Sequence, residues 1–139
     1  MYSIGQLSEI TKVKVPTIRF YEEKKLIKPT KRSEGNQRRY SQEEAEKLSF
    51  IKHARDLGLG LDSVKKLIDL NNHPEKNCRA ANEIAESHLL LIKEKIKKLR
   101  RLEKELQRIS NGCNSGAKVK ECYVIKSLSE HKLCANKKH

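Results

Sequence analysis

At 139 residues, with 35% charged and 4% aromatic side chains, the chain has material for one modest domain, or a small domain with an extension, and little for a large core. Its 31 Lys and Arg against 18 Asp and Glu give a formal net charge of +13, which favours a polyanionic partner, because neutralised phosphates release condensed counterions. No apolar run approaches the roughly 20 residues that span a bilayer, and no basic start with a following apolar run marks a signal peptide, so no membrane association and a cytoplasmic location are expected. In that compartment thiols stay reduced, and clustered cysteines read as metal ligands before disulfides.

Ser3-Ile4-Gly5-Gln6 matches the S-x-x-Q capping box, and a short helix follows to about Ile10 with Ile4, Leu7 and Ile10 on one side. Thr11 to Lys14 make a turn, and Val15-Pro16 opens a second helix, Pro16 lying in the first turn where its missing N–H costs nothing. Ile18 and Phe20 are assigned to the core, while Thr17, Arg19 and Tyr21 face outward. Two short helices joined by a tight turn form a helix-turn-helix, whose second helix can enter the major groove of DNA. An ordinary helical hairpin would have the same local pattern.

Lys28 to Tyr40 places Gly35-Asn36 between Lys31, Arg32, Arg38 and Arg39, which suits a β-hairpin wing laying cations along a phosphate backbone. Ser41-Gln42-Glu43-Glu44 is a second capping box, starting a helix to about Asp56 that buries Leu48, Ile51 and Ala54. Leu57-Gly58-Leu59-Gly60 breaks it as a second, tighter wing, and Leu61 to Leu70 is an amphipathic helix with Val64, Leu67 and Ile68 inward. These elements set the boundaries: a DNA-binding domain over 1–70, a linker over 71–78, a long helix over 79–110, and a loop, short helix and tail over 111–139.

The long helix contains no Gly or Pro, and Ala85, His88, Ile92, Leu99, Leu102, Leu106 and Ile109 recur in steps of three and four, broken once at Lys95-Ile96. That is the seam of a coiled coil facing a partner helix. At a rise of about 1.5 Å per residue, Cys78 and Cys113 at its ends stand roughly 50 Å apart, too far for a disulfide or a shared metal within one chain. If two copies pair antiparallel, Cys78 of one protomer arrives beside Cys113 of the other, and the ligand site of the homodimer spans both subunits.

Cys113 and Cys122 flank a loop bent at Gly116, after a helix that Gly112 is expected to cap. Cys78 follows Asn77, a fitting N-cap, and Cys122 opens a short helix, so both lie near helix N-termini, where the dipole favours the metal-binding thiolate. Three thiolates converging from two chains make a soft anionic site suited to a thiophilic cation. Buried packing is the plain reading of a single cysteine, but loop and helix-end cysteines contribute little packing. Cys134 and His131 are auxiliary ligand candidates in the tail. His88 lies on the seam, and His53, His73 and His139 carry no ligand pattern.

Ile4-Gly5-Gln6-Leu7, then Thr17-Ile18-Arg19-Phe20-Tyr21-Glu22, then Arg32-Ser33-Glu34-Gly35-Asn36 with Arg38 and Tyr40, resemble the MerR family of transcriptional regulators. The likeness runs through the order of helices, wings, long helix and terminal cysteines. It implies a mainly helical fold: a winged helix-turn-helix domain, an antiparallel coiled-coil dimerisation helix and a C-terminal metal-binding loop. The implied partners are double-stranded promoter DNA and RNA polymerase at that promoter. Carried onto this sequence, the implied DNA contacts are Arg19 and Tyr21 on the recognition helix and Arg32 and Arg38 in the wing, with Thr17 a weaker candidate. Arg offers a planar fork for phosphate or guanine edges, and Tyr a hydroxyl for a phosphate. Gln37 stands where the family's wing usually carries an aromatic.

The same resemblance implies metal ligation by Cys78, Cys113 and Cys122. The copper(I) branch normally has no cysteine at the position of Cys78, so the chain falls with the branch answering to lead, cadmium, zinc or mercury. Zinc prefers four ligands, and the loop has no histidine, which favours lead or cadmium. Two other readings are a copper(I)-sensing member and a DNA-binding protein with a permanent structural zinc. An enzyme is not expected, since no H-E-x-x-H or paired carboxylate accompanies the thiols.

Overall fold

Ser3 starts the first helix as its sequence requires: its hydroxyl accepts from the Gln6 backbone N–H at 3.2 Å, and the Gln6 side chain accepts from the Ser3 N–H at 2.9 Å. The structure is a computed structural model that describes residues 1–32, 35, 37–113, 116 and 118–129. The chain divides into two units, Met1–Ile84 and Ala85–His139. The first holds α1 (Ile4–Thr11), α2 (Val15–Glu23), β1 (Lys31–Arg32), β2 (Arg38–Arg39), α3 (Gln42–Asp56) and α4 (Leu61–Asn71), and α5 (Arg79–Asn111) begins in it. The second carries the rest of α5, a 3-10 turn (Val119–Glu121) and α6 (Tyr123–Ser129).

The first unit closes on Leu7, Ile18, Ile27, Tyr40, Leu48, Ile51 and Val64, all essentially removed from water. The expected wing is present: β1 and β2 pair antiparallel, Lys31 opposite Arg39 and Arg32 opposite Arg38. Tyr2 extends this edge through an antiparallel bridge to Tyr40, each backbone N–H donating to the other's carbonyl at 2.8 Å. Ser33, Glu34 and Asn36 of the expected hairpin tip lie outside the described residues.

At the second capping box only half the reciprocal pattern forms. The Ser41 hydroxyl accepts from the Glu44 N–H at 3.2 Å, but the Glu44 carboxylate accepts from the Lys28 N–H at 3.1 Å, and the Ser41 N–H donates instead to Thr30 Oγ1 at 3.1 Å. The box thereby ties the strand entry to α3. The Leu57–Gly60 break is a turn with no strand. Gly58 takes φ 86°, a conformation costly for any residue with a Cβ, and Arg55 Nη1 donates to the Leu59 carbonyl at 3.0 Å.

Two inward assignments are corrected. Ile10 is 52% exposed, and Thr11 is buried in its place, its hydroxyl donating to the Leu7 carbonyl at 2.6 Å. At about 100° per residue Ile10 lies about 120° round the helix from Ile4, whereas Thr11 returns to the Ile4 face. Phe20 is 41% exposed, and Tyr21 is buried at 6%. Ile18 and Tyr21, three apart, share the inner stripe, while Phe20 points nearly opposite Ile18.

In α5, Leu89, Leu90, Leu91, Ile96, Leu99 and Leu106 are exposed in the single chain. Of the expected seam residues, Ile109 alone is buried, at 4% exposure. No helix among the described residues is long and apolar enough to cross a membrane.

Candidate metal centre and DNA-contacting face

On α2, Arg19 is exposed and makes no ion pair among the described residues, while Thr17 is half-buried. Tyr21 does not face outward as expected: its ring belongs to the core, so any phosphate contact is confined to its hydroxyl edge. Arg38 is not a free cation of the wing, because its Nε pairs with Glu22 Oε2 of α2 at 3.0 Å. The Tyr40 hydroxyl donates to the other oxygen of the same carboxylate. Glu22 thus ties wing to recognition helix and fixes the angle between the two basic surfaces, a role the sequence reading missed. The signal was available in the acidic pair Glu22-Glu23 that closes α2, in a domain whose wing carries Arg32, Arg38 and Arg39. Arg32 lies in β1, and the contact expected of its side chain falls outside the described residues. Phe20 packs its ring 5.9 Å from that of Tyr21, with Lys24 Nζ 5.5 Å from its centroid, a cation–π contact that shields an exposed aromatic.

Cys113 and Cys122 come together. Their sulfurs stand 3.9 Å apart, nearly twice the S–S bond of a disulfide at about 2.05 Å. Two thiolates about 2.3 Å from a zinc ion at the tetrahedral angle stand about 3.8 Å apart, so the pair is spaced as two ligands of one thiophilic cation would be. Both thiols are half-buried, and Cys78 is exposed. No group of three His, Cys, Asp or Glu side chains gathers among the described residues, which bring two thiols together. Cys134 and His131, the auxiliary candidates, lie outside the described residues.

Local backbone explains the pair. Cys122 caps α6, its carbonyl accepting from the Lys126 N–H at 3.0 Å. The Ile125 N–H hydrogen-bonds the Cys122 sulfur and lowers its pKa below the ordinary thiol value; partial burial opposes this, and the Val124 N–H and Cys113 support it. Cys113 is raised, chiefly by its hydrogen bond to Cys122, then by burial and the neighbouring charge. The sign follows: Cys122 gives up its proton at lower pH and stays the bare acceptor, and Cys113 holds its proton to higher pH. In the metal-free protein, iodoacetamide is therefore expected to alkylate Cys122 before Cys113 at neutral pH, with the gap closing as pH rises; peptide mass spectrometry of quenched aliquots reads the order.

Two capping assignments shift by one position or one cause. Cys78 itself takes the N-cap place of α5, its carbonyl accepting from the Asn82 N–H at 2.9 Å, while Asn77 Oδ1 accepts from the Arg79 N–H at 3.1 Å. Gly112 follows α5 as expected but does not adopt the left-handed conformation. The ring of Tyr123 lies against its backbone, and a Cβ there would meet Cδ1 at 2.5 Å.

A helix-turn-helix with a hairpin wing, followed by a long helix, is the architecture of a DNA-binding transcriptional regulator. The family description "MerR HTH family regulatory protein" matches residues 2–70, and "MerR, DNA binding" matches residues 45–109. The HTH-type transcriptional regulator ZntR of Escherichia coli (strain K12) is 31% identical over 132 residues, covering 94% of each chain. Among solved structures, the transcription regulator PbrR691 from Ralstonia metallidurans CH34 in complex with lead(II) superposes with a TM-score of 0.77 at 35% identity, covering 92% of this chain and 99% of that one. The dual-function regulator MerR from Bacillus megaterium MB1 in complex with mercury(II) gives 0.68 at 28% identity, covering 93% and 100%. The chain belongs to the MerR family of helix-turn-helix regulatory proteins.

Proposed function

We propose that this protein is a homodimeric, metal-responsive regulator of transcription that binds promoter DNA and senses a soft divalent ion through thiolates of both subunits. The observation that carries the reading is the Cys113–Cys122 pair at 3.9 Å, with a third cysteine, Cys78, exposed at the opposite end of a 33-residue helix. The rise of such a helix is about 50 Å, so a three-thiolate site needs the third ligand from a second chain. The exposed leucines of α5 support pairing, because an apolar stripe of that length is stable when a partner helix covers it. Antiparallel pairing brings Cys78 of one subunit to Cys113 and Cys122 of the other.

Arg19 and Thr17 on α2, the hydroxyl of Tyr21, and Arg32 and Arg38 of the wing contact the DNA in this reading. Arg38 serves both Glu22 and a phosphate, which couples the wing's position to that of the recognition helix. Ion binding across the subunit boundary favours one relative placement of the two DNA-binding domains. A ligand shifts an equilibrium only by such differential contact. RNA polymerase at the promoter is the second macromolecular partner, and the controlled genes serve heavy-metal resistance or efflux.

Lead and cadmium are favoured over zinc and mercury. A loop without histidine offers soft thiolates and no borderline fourth donor among the described residues. Copper(I) is the second reading, because two thiolates in one chain already suffice for a low-coordinate soft cation. Titration of the reduced protein on its operator with lead, cadmium, mercury, zinc and copper(I), following thiolate charge-transfer absorbance and transcription together, separates these. One divalent ion raising both at one equivalent per site supports the sensor. A band without any transcriptional change makes the site structural and overturns it.

A further inference from the structure

Cys113 and Cys122 are separated by eight residues of chain, yet their sulfurs meet within the chelating distance of one ion. The contact that brackets them lies one residue outward on each side. Tyr123, the residue after Cys122, lays its ring on the backbone of Gly112, the residue before Cys113, so closely that a Cβ on Gly112 would fall 2.5 Å from the ring. The ring is held at its far end by Arg108, one turn earlier in α5, whose Nη1 donates to the Tyr123 hydroxyl oxygen at 2.5 Å. The guanidinium carbon stands 5.9 Å from the ring centroid. Arg108 is fixed in turn by a forked pair to Glu105, Nη2 at 2.6 Å and Nε at 3.3 Å, with the Glu105 side chain only 11% exposed.

We propose that Glu105, Arg108, Gly112 and Tyr123 form a clamp that sets the separation of Cys113 and Cys122, and that they act as positioning residues for a soft metal ion held by those two thiols. The proposal rests on the sensor reading for the identity of the ligand, but the clamp itself is a property of the metal-free chain. The four residues carry rank by what they hold. Glu105 orients the guanidinium, the guanidinium holds the hydroxyl, the ring covers Gly112, and the covered backbone leaves the two sulfurs side by side. A planar fork gripping a carboxylate bidentately fixes orientation as well as position, which a point charge such as Lys does not. Gly112 is required by space: any side chain there occupies the volume of the tyrosine ring.

Two measurements test it. The first needs no metal: in protein carrying Cys78→Ser and Cys134→Ser, the equilibrium constant for closing a Cys113–Cys122 disulfide in a glutathione buffer reports how near the thiols are held. Tyr123→Ala, Gly112→Ala and Arg108→Lys are expected to lower it about tenfold. Tyr123→Phe, which keeps the ring and drops the hydroxyl, should fall between these and the parent. The second is cadmium affinity of the otherwise unaltered chain by competition with a chelator, where the loss should be 10- to 100-fold, the range found for groups that orient metal ligands, with a weakened charge-transfer band per bound ion. Operator affinity without metal and the melting temperature serve as controls and should not move. Unchanged disulfide closure in Tyr123→Ala and Gly112→Ala would overturn the clamp. Lowered closure in a protein whose parent shows no cadmium–thiolate band leaves the clamp standing and removes the sensor reading instead.

Discussion

Chains carrying Cys78→Ser are expected to bind the operator within about twofold of the parent and to lose the transcriptional response to metal completely. The exposed thiol lies outside the hydrophobic core, and a serine of nearly the same size replaces it, so the helix-turn-helix and wing are expected to stay as they are. The cost falls on the ion. Removing a group that merely orients a metal ligand costs 10- to 100-fold in affinity, and removing a ligand from a three-thiolate site should cost more than about 100-fold. Two thiolates remain, and they retain weak binding whose charge-transfer band is smaller for each ion bound. Loss of operator binding in this variant would count against the division of labour between the thiols and the DNA-binding elements.

Arg19→Ala is expected to do the reverse. Arg19 is exposed on α2 and free of ion pairs among the described residues, so truncation leaves the core untouched and removes a planar cation from the surface proposed to face DNA. A guanidinium reading a base edge contributes about 1–3 kcal/mol, a loss of roughly 5- to 150-fold in operator affinity, whereas one on a phosphate lowers binding to every sequence and reduces the salt slope by about one. Operator binding measured by fluorescence anisotropy at two or more salt concentrations separates the two. Thiolate binding of cadmium should be unchanged, because Arg19 belongs to the other unit of the chain from the Cys113–Cys122 pair. A variant with parental operator affinity would move the recognition surface elsewhere.

Much of this was legible in the sequence because local chemistry wrote it there. Ser3 with Gln6 and Pro16 in the first turn of α2 each specify backbone without help from the rest of the chain. The unbroken run before Asn111 likewise announced one long helix. Side-chain phase in short helices was harder. In a helix of nine residues, a shift of one position exchanges inside and outside, and Phe20 and Tyr21 are both aromatic, so hydrophobicity could not decide between them. Ile10 and Thr11 traded places by helix phase, against their hydrophobicity, with the threonine hydroxyl satisfied by a carbonyl one turn back.

The long-range ties were beyond pattern reading. That Glu22 would meet Arg38 and Tyr40, or that Tyr123 would press on Gly112 under the hold of Arg108, depends on how separate elements pack. Gly112 was legible as a glycine that mattered, though for helix ending; its structural reason is a neighbouring ring. The sequence placed Cys113 and Cys122 on either side of one short loop, and their sulfurs do approach to 3.9 Å.

The measurement that bears most directly on a site shared between subunits is metal stoichiometry in a mixed dimer. One chain would carry Cys78→Ser and the other Cys122→Ser, co-expressed with different affinity tags and purified through both. Each parent homodimer lacks an intact three-thiolate site. The mixed dimer regains one, from Cys78 of the second chain with Cys113 and Cys122 of the first, so it should bind one cadmium ion per dimer with the full three-thiolate band. A mixed dimer showing no more of that band than its two homodimers would contradict a site built from both subunits.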